Sequence, residues 1–130
     1  MSQRIPSIYV APSSKHGNGV FTSADIPKDS LLEICPIILI PEKDMPLIEK
    51  TVIYNYFFTW GEDEQAGAIA LGFGSIYNHS FHPNAYYMVD YDEGTVLVYS
   101  RRDILAGEEI CFNYNGDAED QSDVWFDVSP

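Results

Sequence analysis

Apolar residues in this chain arrive in short runs broken by proline and glycine, a spacing that excludes folds built mainly from helices. Ile8–Val10, Val20–Thr22 and Leu31–Ile40 are rich in Ile, Leu and Val and read as short strands joined by turns. Further strands are expected at Ala68–Leu71, Ala85–Asp90, Thr95–Ser100 and Glu109–Tyr114, with a hairpin at Asp92-Glu93-Gly94. Only Met45–Trp60 carries helical periodicity. There Leu47, Ile48, Val52, Ile53, Tyr56 and Phe57 recur at helix-like intervals with no Gly or Pro after Pro46, so one helix is predicted. The fold class that follows is mainly β.

At 130 residues, with 45% hydrophobic and 14% aromatic content, the chain has enough apolar surface for one folded domain. The expected organisation is a single domain over 1–130, with a core of about 8–116 and an acidic C-terminal flank, 117–130. Lys and Arg number 7 against 20 Asp and Glu, a net charge of −13. Phosphate neutralisation needs basic side chains, so direct nucleic-acid binding is not expected, whereas a basic protein or peptide partner is. Cys35 and Cys111 lie in apolar runs with no secretory signal before them, and read as buried thiols of a reducing compartment. No apolar stretch approaches the roughly 20 residues of a membrane span. A soluble, intracellular protein is expected.

Three segments concentrate chemistry. His16-Gly17-Asn18-Gly19 precedes a strand, and glycines there let a backbone approach a ligand closely. Asn78-His79-Ser80-Phe81-His82-Pro83-Asn84 crowds polar side chains between apolar strands, as a rigid irregular loop does. His79 and His82 are three apart, but no further ligands have convincing spacing, and no metal is expected. Gly107-Glu108-Glu109-Ile110-Cys111-Phe112-Asn113-Tyr114 reads as a turn, a strand and an exit with a tyrosine at its tip. Two turn-to-strand segments also resemble one another, Ala24–Asp29 and Arg102–Gly107. The acidic tail ends near an aromatic pair, Trp125-Phe126, which suggests a terminus folding back over something.

Taken in order, these segments resemble the SET-domain protein lysine methyltransferases, in their minimal viral and bacterial form. The glycine loop is matched by Gly17-Asn18-Gly19, the Asn-His-Ser-x-x-Pro-Asn motif by Asn78 to Asn84, and the Gly-Glu-Glu-[Leu/Ile]-x-Phe-Asp-Tyr motif by Gly107 to Tyr114. The resemblance implies a β-clip fold of small curved sheets with one short helix, in which the C-terminal motif threads a loop as a pseudoknot beside Asn78–Asn84. It implies S-adenosylmethionine as methyl donor, S-adenosylhomocysteine as product, and no metal. His16, Gly17, Asn18, Gly19, Asn78, His79, Tyr114 and Trp125 would bind the cofactor. Tyr114 and Tyr56 would be catalytic, and Tyr56, Leu71, Phe73, Tyr87 and Phe112 would line the substrate channel. The strand Ala68–Leu71 with Gly72-Phe73 would offer an edge for an added peptide strand. Phe112 stands where the family sets methyl number, which implies di- or trimethylation. Asn113 stands where the family usually has Asp, and with only two cysteines in the sequence no zinc-binding segment is expected beside the domain.

The implied chemistry suits these residue types. Lysine with a pKa near 10.4 is neutral only about once in 10³ at pH 7.4, a cost of about 4 kcal/mol. An aromatic channel and a nearby sulfonium both disfavour the ammonium, so no strong base is obligatory. Tyr114 would orient the amine lone pair, which is catalysis by positioning. The expected substrate is a lysine in a basic segment such as a histone tail, and a homodimer is expected from the small size. Localisation would be cytoplasmic for a bacterial source and nuclear or host-nuclear for a viral or eukaryotic one. Two other classes compete: an inactive SET-like binding module, which the intact Asn78, His79 and Tyr114 oppose, and a hydrolase using Cys111 with His79 or His82. The second requires a reactive thiol, and Cys111 sits mid-strand between apolar neighbours.

Overall fold

The computed structural model describes residues 4–114, which form two small sheets. In the first, β1 (Ile8–Pro12) and β2 (Asn18–Thr22) make an antiparallel hairpin whose tip is the glycine loop. β9 (Glu109–Phe112) pairs antiparallel with β2 and parallel with the two-residue β6 (Asn78–His79), giving the order β1-β2-β9-β6. The C-terminal motif therefore lies between the N-terminal hairpin and the Asn78–Asn84 loop, the neighbourhood that the pseudoknot requires. It is a pairing of strands far apart in sequence, which no local pattern encodes.

The second sheet has the order β4-β5-β3-β8-β7, with β3 at Leu31–Ile40, β4 at Phe58–Trp60, β5 at Ala66–Ala70, β7 at Ala85–Asp90 and β8 at Thr95–Ser100. β3 changes partner along its length: Leu31 to Pro36 pairs with β8, and Ile37 to Ile40 with β5. Pro36, which has no N–H to donate, stands at the handover, and its carbonyl accepts from Leu71 N at 2.8 Å. The sheet curls until its edge strands meet. Phe58 and Tyr87 make an edge-to-face contact at 5.0 Å, Trp60 and Tyr91 another at 4.9 Å, and the Tyr91 hydroxyl donates to Gly61 O.

A register shift between Leu31 and Glu33 changes the strand's alternation. Leu32 and Glu33 are consequently both buried, and the bulge turns a carboxylate inward. The two similar turns meet as a pair: Ile26 and Ile104, both buried, exchange backbone hydrogen bonds of 2.7 and 2.8 Å. Each isoleucine is preceded by an aspartate that reaches the opposite turn, Asp25 accepting from Ala106 N and Asp103 from Lys28 N, both at 2.8 Å. The sequence similarity is thus a local two-fold arrangement that ties the start of β3 to the start of β9.

Two sequence expectations need correction. Met45–Trp60 is not one helix but a 3₁₀ turn at Glu42–Asp44, the short helix α1 (Met45–Ile48), a second 3₁₀ turn at Val52–Asn55, and then β4. None of the helical residues is buried, so no core contact rewards continuing the helix through Thr51, Val52 and Ile53, which are β-branched. The strand expected at Ala68–Leu71 is Ala66–Ala70, and it is interior over most of its length. β4 covers it from Ala66 to Ala68 and β3 from Gly67 to Ala70, so on the β4 side only residues past Ala68 lack a strand partner among the described residues. No helix of the described residues is long and apolar enough to cross a membrane.

Candidate active site

β9 carries the C-terminal motif past the Asn78–Asn84 loop, and the loop's side chains hold it there. Asn84 accepts from Cys111 N at 2.9 Å and donates to Glu109 O at 2.8 Å, pairing as a strand would. Beyond the strand, Tyr114 N donates to His79 Nδ1 at 3.0 Å, and the Tyr114 hydroxyl donates to Tyr77 O at 2.5 Å. Because Nδ1 accepts, His79 carries its proton on Nε2. Burial, and to a lesser degree the Lys15 charge, hold its pKa below the usual histidine value, so the neutral ring persists. Asn113, in place of the family's usual aspartate, is buried.

Behind Tyr114 lies a cavity walled by Tyr56, Phe58, Tyr77, Tyr87, Phe112 and Tyr114, with Asn55, Ser75 and Thr59 among its polar contributors. Phe112 is its floor, packed edge-to-face on Tyr87 at 4.9 Å and tilted against Tyr77 at 5.3 Å. Burial pushes the Tyr87 phenol up to about 12, with the Glu64 charge adding to it. Burial pushes Tyr114 higher still, reinforced by Cys111, Tyr56 and Glu109. Both phenols stay protonated near neutral pH. Tyr56 sits at the rim, 36% exposed.

Three of the proposed channel residues, Tyr56, Tyr87 and Phe112, thus surround one cavity together with the proposed catalytic Tyr114. Leu71 and Phe73 do not line it: Leu71 is exposed, and Phe73 lies under the Arg4 guanidinium, 3.8 Å from ring centroid to Cζ. They follow the end of β5, where the chain turns at Gly72 toward Glu33 instead of the cavity. Trp125, proposed for the cofactor, lies outside the described residues.

The glycine loop converges on Asn78. The Asn78 Nδ2 group faces His16 O at 3.1 Å, Asn18 O at 3.2 Å and Glu109 Oε2 at 2.8 Å. Gly17 takes a left-handed φ of +47°, and a Cβ at Gly19 would collide with Glu109 Oε2. The room at Gly19 is taken up by the Glu109 carboxylate and the Asn78 amide, so the loop packs directly onto both. Of the residues expected to hold the cofactor, the structure thus brings His16, Gly17, Asn18, Gly19 and Asn78 together, with His79 next to Asn78 on β6 and Tyr114 bonded to His79.

Residues missed by sequence reasoning support the cavity from behind. Glu33, 2% exposed, accepts from the Tyr77 hydroxyl at 2.8 Å, from Phe73 N at 2.9 Å and from Arg4 Nη1 at 3.2 Å. Tyr77 therefore joins the buried carboxylate of Glu33, paired with the partly exposed Arg4, at its hydroxyl to Tyr114 at its carbonyl. A lone glutamate inside the apolar run Leu31–Ile40 was the available signal.

A family model of the SET domain matches residues 17–115, most of the chain and all three motifs. The chain belongs to the SET-domain family of lysine methyltransferases. This SET domain is 33% identical over 129 residues to a histone-lysine N-methyltransferase, H3 lysine-37 specific, of Schizosaccharomyces pombe, covering 95% of this chain and 82% of that protein. It is 28% identical to the histone-lysine N-methyltransferase trr of Drosophila melanogaster, covering 89% of this chain but 5% of that much longer protein. Among solved structures, it superposes with a TM-score of 0.69 and 30% identity on a candidate histone methyltransferase of Plasmodium falciparum, covering 88% of this chain and 95% of that one. The SET fold recurs in the Polycomb Repressive Complex 2 of Chaetomium thermophilum, in an autoinhibited conformation bound to S-adenosylmethionine, with a TM-score of 0.71, 22% identity and coverage of 88% and 15%. A cysteine hydrolase is excluded on separate grounds. The Cys111 thiol is buried, and that burial pushes it up to about 12, far from a nucleophilic thiolate.

Proposed function

We propose that this SET domain methylates a lysine side chain in a basic protein segment of the histone-tail kind, with S-adenosylmethionine as donor. The cofactor supplies an electrophilic methyl group when bound. The cavity beside Tyr114 supplies the rest. Its aromatic walls disfavour an ammonium and so favour the neutral, nucleophilic amine without a charged base.

One observation carries the reading: the Tyr114 hydroxyl proton is committed to Tyr77 O. The phenol oxygen then offers only lone pairs to the cavity. An incoming amine donates an N–H to it, and the amine's own lone pair points away from Tyr114. That orients the nucleophile, while burial keeps Tyr114 a neutral phenol and not a base. The net charge of −13 supports a basic partner by long-range attraction.

Histone H3 is the first substrate to test, given the specificity of the Schizosaccharomyces pombe relative. The chain is incubated with S-adenosylmethionine and recombinant H3, and mass increments are mapped by peptide mass spectrometry. Methylated lysine with the wild type and none with Tyr114→Phe supports the function. Equal methylation by both removes Tyr114 from the chemistry, and none with H3 or a mixture of basic proteins removes the assignment.

A further inference from the structure

We infer that Glu33 is a positioning residue for the reaction: acting through Tyr77, it fixes the place of the Tyr114 hydroxyl from outside the cavity. The inference rests on the function proposed above and adds to it a residue that does not itself line the cavity.

Burying a carboxylate costs solvation that an apolar side chain filling the same space avoids, so a place in the core does not by itself account for one. What a carboxylate supplies is two acceptor oxygens aimed in different directions. Oε1 accepts from the Tyr77 hydroxyl at 2.8 Å, while Oε2 accepts from Phe73 N at 2.9 Å and from Arg4 Nη1 at 3.2 Å. Gly72, at a φ of +64°, leaves the room for this, since a Cβ there would run into Oε2. One oxygen is thus tied to the backbone of the Gly72-Phe73 turn, and the other stands as a fixed anchor for Tyr77.

Tyr77 carries that anchor to the site. Its ring is 1% exposed, held at the hydroxyl end by Glu33 and packed against Phe112 at 5.3 Å. A rigid side chain fastened at its far end leaves the backbone at its near end little freedom. That backbone carbonyl is the group that takes the Tyr114 proton at 2.5 Å. Release of the Tyr77 hydroxyl therefore lets the carbonyl shift, and the Tyr114 lone pairs turn with it. Rates that depend on alignment are steeply sensitive to such displacements.

The test separates positioning from support of the fold. Glu33→Gln keeps one oxygen for Phe73 N and removes the acceptor that faces Tyr77. Tyr77→Phe breaks the same contact from the other end, leaves Glu33 its other two partners, and is the second variant should Gln not fold. In each, kcat for methylation of H3 is expected to fall about tenfold, with KM for H3 within about twofold of wild type. In Tyr114→Phe, which has no hydroxyl left to position, adding Glu33→Gln is expected to change kcat by less than about twofold. A full loss in that background, or wild-type kcat in the folded single variants, overturns the inference. A second readout uses no ligand: in protein with isotope-labelled tyrosine rings, the Tyr114 signal, identified by its loss in Tyr114→Phe, is expected to move in both variants. An unmoved signal overturns the inference as well. Absence of methylation by the wild type overturns the proposed function instead, and the ring signal then still decides whether Glu33 holds Tyr114.

Discussion

Tyr114 gives its hydroxyl proton to the backbone carbonyl of Tyr77, 37 residues earlier in the chain, across 2.5 Å. This contact sets the direction of the lone pairs in the cavity and fastens the end of β9 to the segment before β6. Tyr114→Phe deletes it. Methyl transfer is expected to fall by about 10²-fold or more, since positioning is lost together with the amine's acceptor. The fold is expected to survive, at a cost near 1 kcal/mol for the carbonyl left without its partner. Single-turnover mass spectrometry and urea unfolding read the two effects separately.

The pH profile of turnover reports on lysine and not on Tyr114. Burial holds Tyr114 protonated well beyond neutrality, so its ionisation does not enter between pH 6 and 9. The rate is expected to rise about tenfold per unit in that range, as the neutral amine population does. A plateau with a midpoint near 7 that Tyr114→Phe abolishes would show Tyr114 ionising, against the mechanism.

Stability should fall as pH drops through the normal histidine range. His79 is held below its usual value, so between the folded and unfolded values the unfolded chain binds the extra proton. Its contribution is complete above the unfolded value, near 6.5, and is lost progressively as pH falls below it toward the depressed folded value. Urea midpoints at pH 7.5 and 5.5, compared with those of His79→Gln, test this: the substitution should flatten the difference.

Glu33→Ala removes the one carboxylate on which Tyr77, Phe73 and Arg4 converge. It leaves a buried hydroxyl and a backbone N–H without their acceptor, while the partly exposed Arg4 turns to water, and the expected cost is about 2–4 kcal/mol. Glu33→Gln, which keeps an oxygen, should lose less. Thermal unfolding of both variants decides, and equal melting temperatures would mean that the pair holds nothing together.

Phe112→Tyr places a hydroxyl on the aromatic floor between Tyr87 and Tyr114. Products are expected to shift from di- and trimethyl-lysine toward monomethyl-lysine, because the added oxygen takes space that a second methyl needs. Intact-mass product distributions at full conversion give the answer, and an unchanged distribution refutes the role.

Much of the fold could be read from short-range pattern. β3, β7 and β8 begin and end where their apolar runs do, since Leu31–Ile40, Ala85–Asp90 and Thr95–Ser100 are bounded by turn residues. The single helix expected over Met45–Trp60 does not form, because periodicity says where an apolar stripe lies, not whether a core meets it. Leu47 and Val52 stay exposed at 65% and 66%, and the end of the segment joins β5 as a strand. Around the site, the motifs marked Asn78, His79 and Tyr114, but what these residues bond to was beyond pattern. Asn78 reaches Glu109 across 31 residues, and Glu33 faces inward only through a bulge. Leu71 and Phe73 were placed on the channel by a strand edge that the real turn at Gly72 directs away from it.

β9 lies between β2 and β6 and supplies Glu109, Phe112 and Tyr114. A ribosome-bound nascent chain that has released everything up to residue 106 already holds all three histidines, the glycine loop and most of the hydrophobic interior, yet has no cleft. The cleft therefore cannot form before β9 docks between β2 and β6. A small molecule that occupies it acts as a pharmacological chaperone by its nature, because it binds only chains in which that final strand has docked.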